Sequence, residues 1–207
     1  MSRPRAKKIK LLILDVDGVM TDGMIYFFPD HGRAKQSTRK RQAKQADAGG
    51  GSVAGDAMLE IKGFHAHDGI AMSLARLGGL KTAVITKRVS ETVRVRCRDL
   101  RIDYVYQGTA DKLAALHEIL RKERLKPEQA AYLGDDIVDL PAMRACGLAV
   151  AVANARESIK RIAHVVTEHA GGEGAVRDAV EYILKAQGTL DRVVAAYTSQ
   201  QKPSDEA

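Results

Sequence analysis

Short apolar runs alternate with amphipathic stretches along most of this 207-residue chain. Ile9 to Leu14, interrupted only by Lys10, predicts a buried strand that runs into an acidic loop at Asp15. Met24 to Phe28 predicts a second strand and Met58 to Phe64 a returning one, so the two should form a β-hairpin. Helix and strand patterns then take turns. Ile70, Leu74 and Leu77 fall on one helical face within 69–77, and Thr82 to Thr86 reads as a strand. A polar helix is expected over 91–100, a short strand over 104–106, and a helix over 112–123 with Leu113, Leu116, Ile119 and Leu120 on one side. Further strands are expected at 130–134, 148–152 and 164–167. A short helix over 138–145 tolerates Pro141 near its start, and an amphipathic helix over 174–187 closes the pattern. Strands that alternate with helices predict an α/β fold, a parallel sheet covered by helices on both faces.

Between the hairpin strands, residues 29–56 lose all apolar periodicity. They hold a Lys/Arg/Gln-rich stretch followed by Ala-Gly-Gly-Gly-Ser, the composition of a disordered basic insert. The expected organisation is a basic N-terminal tail over 1–8, one domain over 9–187 carrying that insert, and a C-terminal tail over 188–207, polar and frayed from Thr198. Charge follows the same division. Residues 1–10 carry five Lys/Arg and residues 31–46 carry six, with no acid in either stretch. Without these eleven charges the net +7 becomes −4, so the folded remainder is mildly acidic and argues against a nucleic-acid partner. The run from Arg33 to Lys44 has no interleaved aromatics and reads as a solvated loop. No stretch approaches the roughly 20 apolar residues that span a bilayer, and the N-terminal apolar run is too short for a signal peptide. Cys97 and Cys146 lack metal-binding spacing and read as small buried hydrophobes in a reducing, cytoplasmic compartment. The six histidines show no metal-ligand spacing either; His67 is the one expected near the site.

In such sheets the chemistry sits in loops at the carboxyl ends of the strands, and four of these loops carry suggestive groups. Asp15-Val-Asp17-Gly18 sets two carboxylates astride a turn; beside a hard cation, one can attack phosphorus while the other handles a proton. Thr86 ends a strand with a hydroxyl suited to a phosphate oxygen. Lys112 enters a helix where its ammonium can neutralise phosphate and nucleophile. Gly134-Asp135-Asp136-Ile-Val-Asp139 offers paired acids after a buried strand, the donor type that suits magnesium. Any one of these motifs is weak by itself. Their occurrence in order, at the ends of successive strands, is the signal.

These four loops resemble the four motifs of the haloacid dehalogenase superfamily, over about residues 9–186 with the insert set aside. Within it the chain is similar to the 3-deoxy-D-manno-octulosonate 8-phosphate phosphatase family. That likeness rests on Asp-Gly-Val-Met-Thr-Asp22-Gly, Phe64-x-x-x-Asp68-Gly69, Gln107-Gly…Asp111-Lys112, Gly-Asp-Asp-x-x-Asp-Leu-Pro141 and Gly171-Gly172-x-Gly174-Ala-Val-Arg177. The resemblance implies a Rossmann-like doubly wound parallel sheet with a β-hairpin extension and no large cap domain. It implies a Mg2+-dependent phosphatase acting on a sugar-acid phosphate, 3-deoxy-D-manno-octulosonate 8-phosphate, through an aspartyl-phosphate intermediate. Asp15 would be the nucleophile and Asp17 the acid and base. Thr86 and Lys112 would hold the phosphoryl group. Magnesium would be held by Asp15, the Asp17 carbonyl and Asp135, with Asp136 or Asp139 acting through water. Asp68, Lys87, Arg88 and Arg177 would be substrate-binding candidates, and the hairpins would assemble a homotetramer in which a neighbour covers each site.

The chain departs from the family pattern in three places. Lys87 stands where Gly is usual, His67 precedes Asp68-Gly69 where Arg is usual, and the insert lies in the hairpin expected to build the oligomer. Such changes bear on substrate more than on reaction type. A nonulosonate 9-phosphate phosphatase is therefore an alternative, as is a non-catalytic structural or regulatory protein that keeps the fold.

Overall fold

A computed structural model of the chain describes residues 2–29 and 58–199. The proposed insert, with its basic run, lies outside the described residues except for Pro29. The chain divides into two compact units, Ile25–Lys62 and the remainder.

The larger unit is built on a six-stranded, wholly parallel sheet in the order β5-β4-β1-β6-β7-β8. Its strands are β1 (Leu11–Leu14), β4 (Lys81–Ile85), β5 (Tyr104–Tyr106), β6 (Ala130–Gly134), β7 (Leu148–Ala151) and β8 (Val165–Val166). Every residue of β1, β6 and β7 is buried, as expected of parallel strands covered on both faces. On one side lie α1 (Arg3–Ala6), α2 (Ala66–Leu77), α7 (Ala175–Gln187) and α8 (Leu190–Ser199), packed on one another. Elsewhere α4 (Lys112–Glu123) packs on α5 (Leu140–Ala145). Two more helices, α3 (Glu91–Asp99) and α6 (Glu157–Lys160), complete the set.

Strand order turns back at β1: the chain proceeds outward through β4 and β5, then returns to β6 on the other side. In open α/β sheets this reversal opens a crevice at the carboxyl ends of the strands. Register sharpens the point. Leu14 pairs with Val84 and with Leu133, so Asp15, Thr86 and Asp135 lie within one residue of the same level on three adjacent strands.

The smaller unit is an antiparallel pair, β2 (Tyr26–Pro29) and β3 (Met58–Ile61), with Tyr26 opposite Ile61 and Phe28 opposite Leu59. Tyr26, Phe27, Phe28, Met58, Leu59 and Ile61 are all exposed. Among the described residues no folded unit of cap-domain size is present.

Several elements differ from the sequence reading. Residues assigned to a basic N-terminal tail include a helical turn with Ala6 fully buried. Arg5 donates to the Gly147 carbonyl at 2.9 Å, and Ser2 Oγ lies 2.5 Å from the Tyr182 hydroxyl. Residues 190–199, assigned to a tail, form α8, whose Val193 is buried. The first segment is too short and too charged for periodicity to declare it, whereas the second carries Leu190, Val193, Val194 and Tyr197 at helical spacing that the sequence reading passed over; packing against α7 and α2 orders both. The first turn of the helix expected over 138–145 is a separate 3-10 turn, Ile137–Asp139, ahead of α5.

Candidate active site

The loop after β1 is a tight turn in which the Val16 carbonyl accepts from the backbone N–H groups of Val19, Met20 and Thr21. Gly18 makes it possible. Its φ is +85°, and a Cβ there would fall 2.2 Å from Asp135 Oδ2. The loop is braced from outside by Gly171, whose backbone approaches so closely that an added Cβ would lie 1.8 Å from the Gly18 carbonyl oxygen. Gly172 approaches the same loop, where an added Cβ would lie 2.3 Å from the Asp22 backbone nitrogen, so the brace accounts for Gly171 and Gly172, and the sequence by itself suggested no role for them.

At the crevice a pocket of about 290 Å3 is lined by Asp15, Asp17, Thr86, Lys87, Arg88, Lys112, Asp135 and Asp136, together with Gly23 and Val138. Larger cavities lie elsewhere, including one of about 910 Å3 between the N-terminal segment and Lys126. The strand-end acids, Thr86 and Lys112 converge on the small one.

Lys112 is the electrostatic centre. It is 3% exposed, and its Nζ lies 2.7 Å from Asp15 Oδ2 and 2.7 Å from Asp139 Oδ1. Burial alone would lower its pKa, but the Asp15 and Asp139 carboxylates outweigh burial and hold it above the ordinary lysine value. Asp15 is pushed up to about 6 by burial and by Asp139, against the pull of Lys112. Asp135 is pushed up to about 7 by burial and by the charges of Asp139, Asp15 and Asp136. More negative charge is gathered here than Lys112 can neutralise.

Oxygens of Asp15, Asp135 and Asp139 all lie within 4.8 Å of one another. This oxygen-only donor set, crowded enough to hold protons near neutrality, fits a hard divalent cation. Asp139 differs from the other two in having its oxygens already engaged. It is fully buried, and Oδ1 accepts from Lys112 and from the Tyr132 hydroxyl at 3.0 Å. Its Oδ2 accepts from the Asp135 backbone N–H at 3.1 Å. Gly134 leaves room for it, since a Cβ there would fall 2.6 Å from Asp139 Oδ2. Asp136 is exposed and caps the 3-10 turn through the Ile137 N–H.

Thr86 is buried at the end of β4, and its hydroxyl accepts from the Arg88 backbone at 3.4 Å. Arg88 Nε lies 3.7 Å from Asp17 Oδ2. The fold thus brings together nine of the eleven residues singled out from the sequence: eight line the pocket, and Asp139 stands directly behind it.

Asp68 and Arg177 are not brought there. Asp68 is buried and accepts from the Arg177 backbone N–H at 2.9 Å, while the Arg177 side chain pairs with Glu181 at 2.6 Å. The reason is a missing cap. Helix α7 begins after Gly174, which has no side chain to satisfy the first turn, and Asp68 supplies that acceptor from 109 residues away. Burial, the largest influence on Asp68, holds its carboxyl above the ordinary value. His67 is likewise absent from the pocket; its ring stands edge-on to His65 at 4.7 Å. Tyr132 was missed from sequence, where it passed for an ordinary core strand residue; its place two positions before Gly134-Asp135 was the available signal.

A model of the haloacid dehalogenase-like hydrolases matches residues 85–180. The chain is 38% identical over 187 residues to 3-deoxy-D-manno-octulosonate 8-phosphate phosphatase KdsC of Escherichia coli strain K12, covering 90% of this chain and 85% of that protein. Its structure is similar to that of the phosphatase of the same name from Yersinia pestis, with TM-score 0.75 and 37% identity over 92% of this chain and 88% of the other. It is also similar to the Moraxella catarrhalis phosphatase in complex with magnesium ion, phosphate ion and KDO, with TM-score 0.78 and 32% identity over 94% and 97%.

Proposed function

The chain belongs to the 3-deoxy-D-manno-octulosonate 8-phosphate phosphatase family of haloacid dehalogenase-like hydrolases, and on that premise we propose how its residues carry out the hydrolysis of this sugar-acid phosphate. The observation that carries the reading is the Lys112 ammonium, buried at 2.7 Å from Asp15 in the lining of the pocket where the strand-end acids and Thr86 converge.

Asp15 is the nucleophile. Its carboxylate attacks phosphorus, the bond to the sugar oxygen breaks, and an aspartyl-phosphate forms. Asp17 gives its proton to the departing oxygen, then takes one from the water that attacks phosphorus and releases phosphate. The Asp15 to Lys112 contact aims the attacking carboxylate, and the ammonium with the Thr86 hydroxyl holds the phosphoryl oxygens. Asp139 acts as a positioning residue, since its contacts to Lys112, Tyr132 and the Asp135 backbone fix the lysine rather than leave lone pairs free. Asp15, Asp135 and the Asp17 carbonyl would hold Mg2+, with Asp136 reaching it through water. When bound, the ion neutralises charge that develops on the transferring group. Arg88, beside Asp17, orients that carboxylate and neutralises its charge when ionised.

The test is phosphate release from 3-deoxy-D-manno-octulosonate 8-phosphate, a nonulosonate 9-phosphate, hexose phosphates and p-nitrophenyl phosphate. Wild type and Asp15→Asn are each assayed with magnesium and with chelator. Magnesium-dependent turnover strongest on the octulosonate ester and lost in the variant is expected. Turnover that persists in the variant removes Asp15 as nucleophile.

The finer setting is also a proposal. The exposed apolar hairpin supports assembly into a homotetramer, because an isolated two-stranded pair is marginal in water and its side chains call for cover. Cys97 and Cys146 are free and buried, which supports a cytoplasmic setting. Among the described residues no helix is long and apolar enough to cross a membrane. Light scattering that reports a monomer at micromolar concentration would exclude the tetramer.

A further inference from the structure

Three cations line the pocket, and their charges are engaged very differently. Lys112 is buried between two carboxylates. Arg88 faces Asp17. Lys87 is exposed and has neither an ion pair nor a hydrogen bond among the described residues. The remaining charged lining is acidic, namely Asp15, Asp17, Asp135 and Asp136. A substrate with a second negative charge, remote from its phosphoryl group, therefore meets carboxylates on most sides and one uncommitted cation.

We propose that Lys87 recognises a carboxylate on the sugar end of the substrate and so strengthens the preference for sugar-acid phosphates over neutral sugar phosphates, a contact that the Gly usual at this position cannot make. The inference rests on the phosphatase reading above. Chain geometry separates Lys87 from the phosphoryl subsite. Thr86, one residue earlier, is the last buried position of the strand end, and its hydroxyl turns back to the Arg88 backbone. Lys87 is the first residue outside. Its four-carbon stem lets the ammonium range over the pocket mouth, where the non-reacting end of a bound ester emerges. The phosphoryl group is held inside by Lys112 and Thr86, together with the ion that Asp15 and Asp135 would bind, so a cation at the mouth is not needed for the reaction and is available for selection. A flexible, solvated ammonium favours attraction of an anion to the mouth over rigid orientation, which places its effect in KM rather than in kcat.

The experiment compares wild type with Lys87→Gln, Lys87→Glu and Lys87→Arg on two esters, 3-deoxy-D-manno-octulosonate 8-phosphate and p-nitrophenyl phosphate. In Lys87→Gln the KM for the carboxylated ester should rise about five- to tenfold, the range of one partly solvated charge contact, with kcat within about twofold. The ratio of kcat/KM between the two esters should fall by the same factor. Lys87→Glu should widen the loss, Lys87→Arg should restore it, and added salt should weaken wild type more than Lys87→Gln. An equal KM rise on both esters, or no rise on either, overturns the proposal. A second measurement needs no turnover. Calorimetric titration of free 3-deoxy-D-manno-octulosonate, with magnesium and inorganic phosphate present, should show weaker binding to Lys87→Gln than to wild type. Equal binding overturns the role of Lys87 even if the ester is cleaved; absent turnover with intact Lys87-dependent binding instead condemns the phosphatase reading.

Discussion

Replacing Lys112 with Met tests the electrostatic core of the site, because it removes the ammonium and keeps the length of the side chain. Two carboxylates, Asp15 at 5% exposure and Asp139 at 0%, then face each other in the protein interior without their shared counter-ion. Removing one partner of a buried ion pair costs about 3–5 kcal/mol, since the charge left behind is neither solvated nor paired. For a chain of this length that corresponds to a fall of roughly 6–20 °C in Tm, at about 2–4 °C per kcal/mol. The assay is denaturant unfolding of both proteins in chelator and again in saturating magnesium. The gap should be widest in chelator and narrower with the ion, which supplies part of the missing positive charge. Turnover should fall at least about 100-fold even with magnesium, as expected when a positioned group that stabilises transferring charge is lost. Unfolding free energies within about 1 kcal/mol of each other in chelator would refute this reasoning, because the pair could not then be buried and coupled as described.

Other perturbations follow from the same geometry. Gly18→Ala forces a side chain into φ +85° and onto Asp135 Oδ2. It should cost about 1–2 kcal/mol in stability, and calorimetry should find magnesium affinity reduced by a larger proportion than stability. Tyr132→Phe removes the hydroxyl that donates to Asp139. It should cost about 1.5–3 kcal/mol by denaturation and lower kcat with little change in KM, because Lys112 is less firmly placed. In chelator, Asp15 at about 6 and Asp135 at about 7 keep protons that the unfolded chain releases near the ordinary 3.8. The folded state binds more protons over that interval, so stability should fall as pH rises from about 4 to about 7. Magnesium, which requires the ionised carboxylates, should flatten or reverse that slope and bind more tightly as pH rises through the same window. A chelated protein that gains stability from these groups over that range would contradict the assigned shifts.

Much of this protein was legible in its residues before any tertiary contact was known. The alternation of apolar runs and amphipathic stretches located the strands and longer helices of the sheet, because a strand buried on both faces needs a continuous apolar run and a surface helix needs one apolar stripe. The acidic loops of the candidate site were legible for a related reason. Asp15-Val-Asp17-Gly18 and Gly134-Asp135-Asp136 break an apolar run abruptly with groups that a core would not otherwise accept. Tertiary structure alone decided what each charge does. The reversal of strand order at β1 brings Asp15, Thr86, Lys112 and Asp135 to one pocket, although Asp15 and Asp135 are 120 positions apart. Asp139 turns inward to Lys112 and Tyr132, and Asp68 is spent on the uncapped end of α7, yet as letters both are acids in loops like Asp135. The basic residues at the start of the chain looked like a tail because their charge is local information. Their order comes from Ala6, Arg5 and Ser2 meeting partners more than a hundred residues away. Local pattern reports what a segment can bury; only the assembled fold determines which buried charge finds which partner.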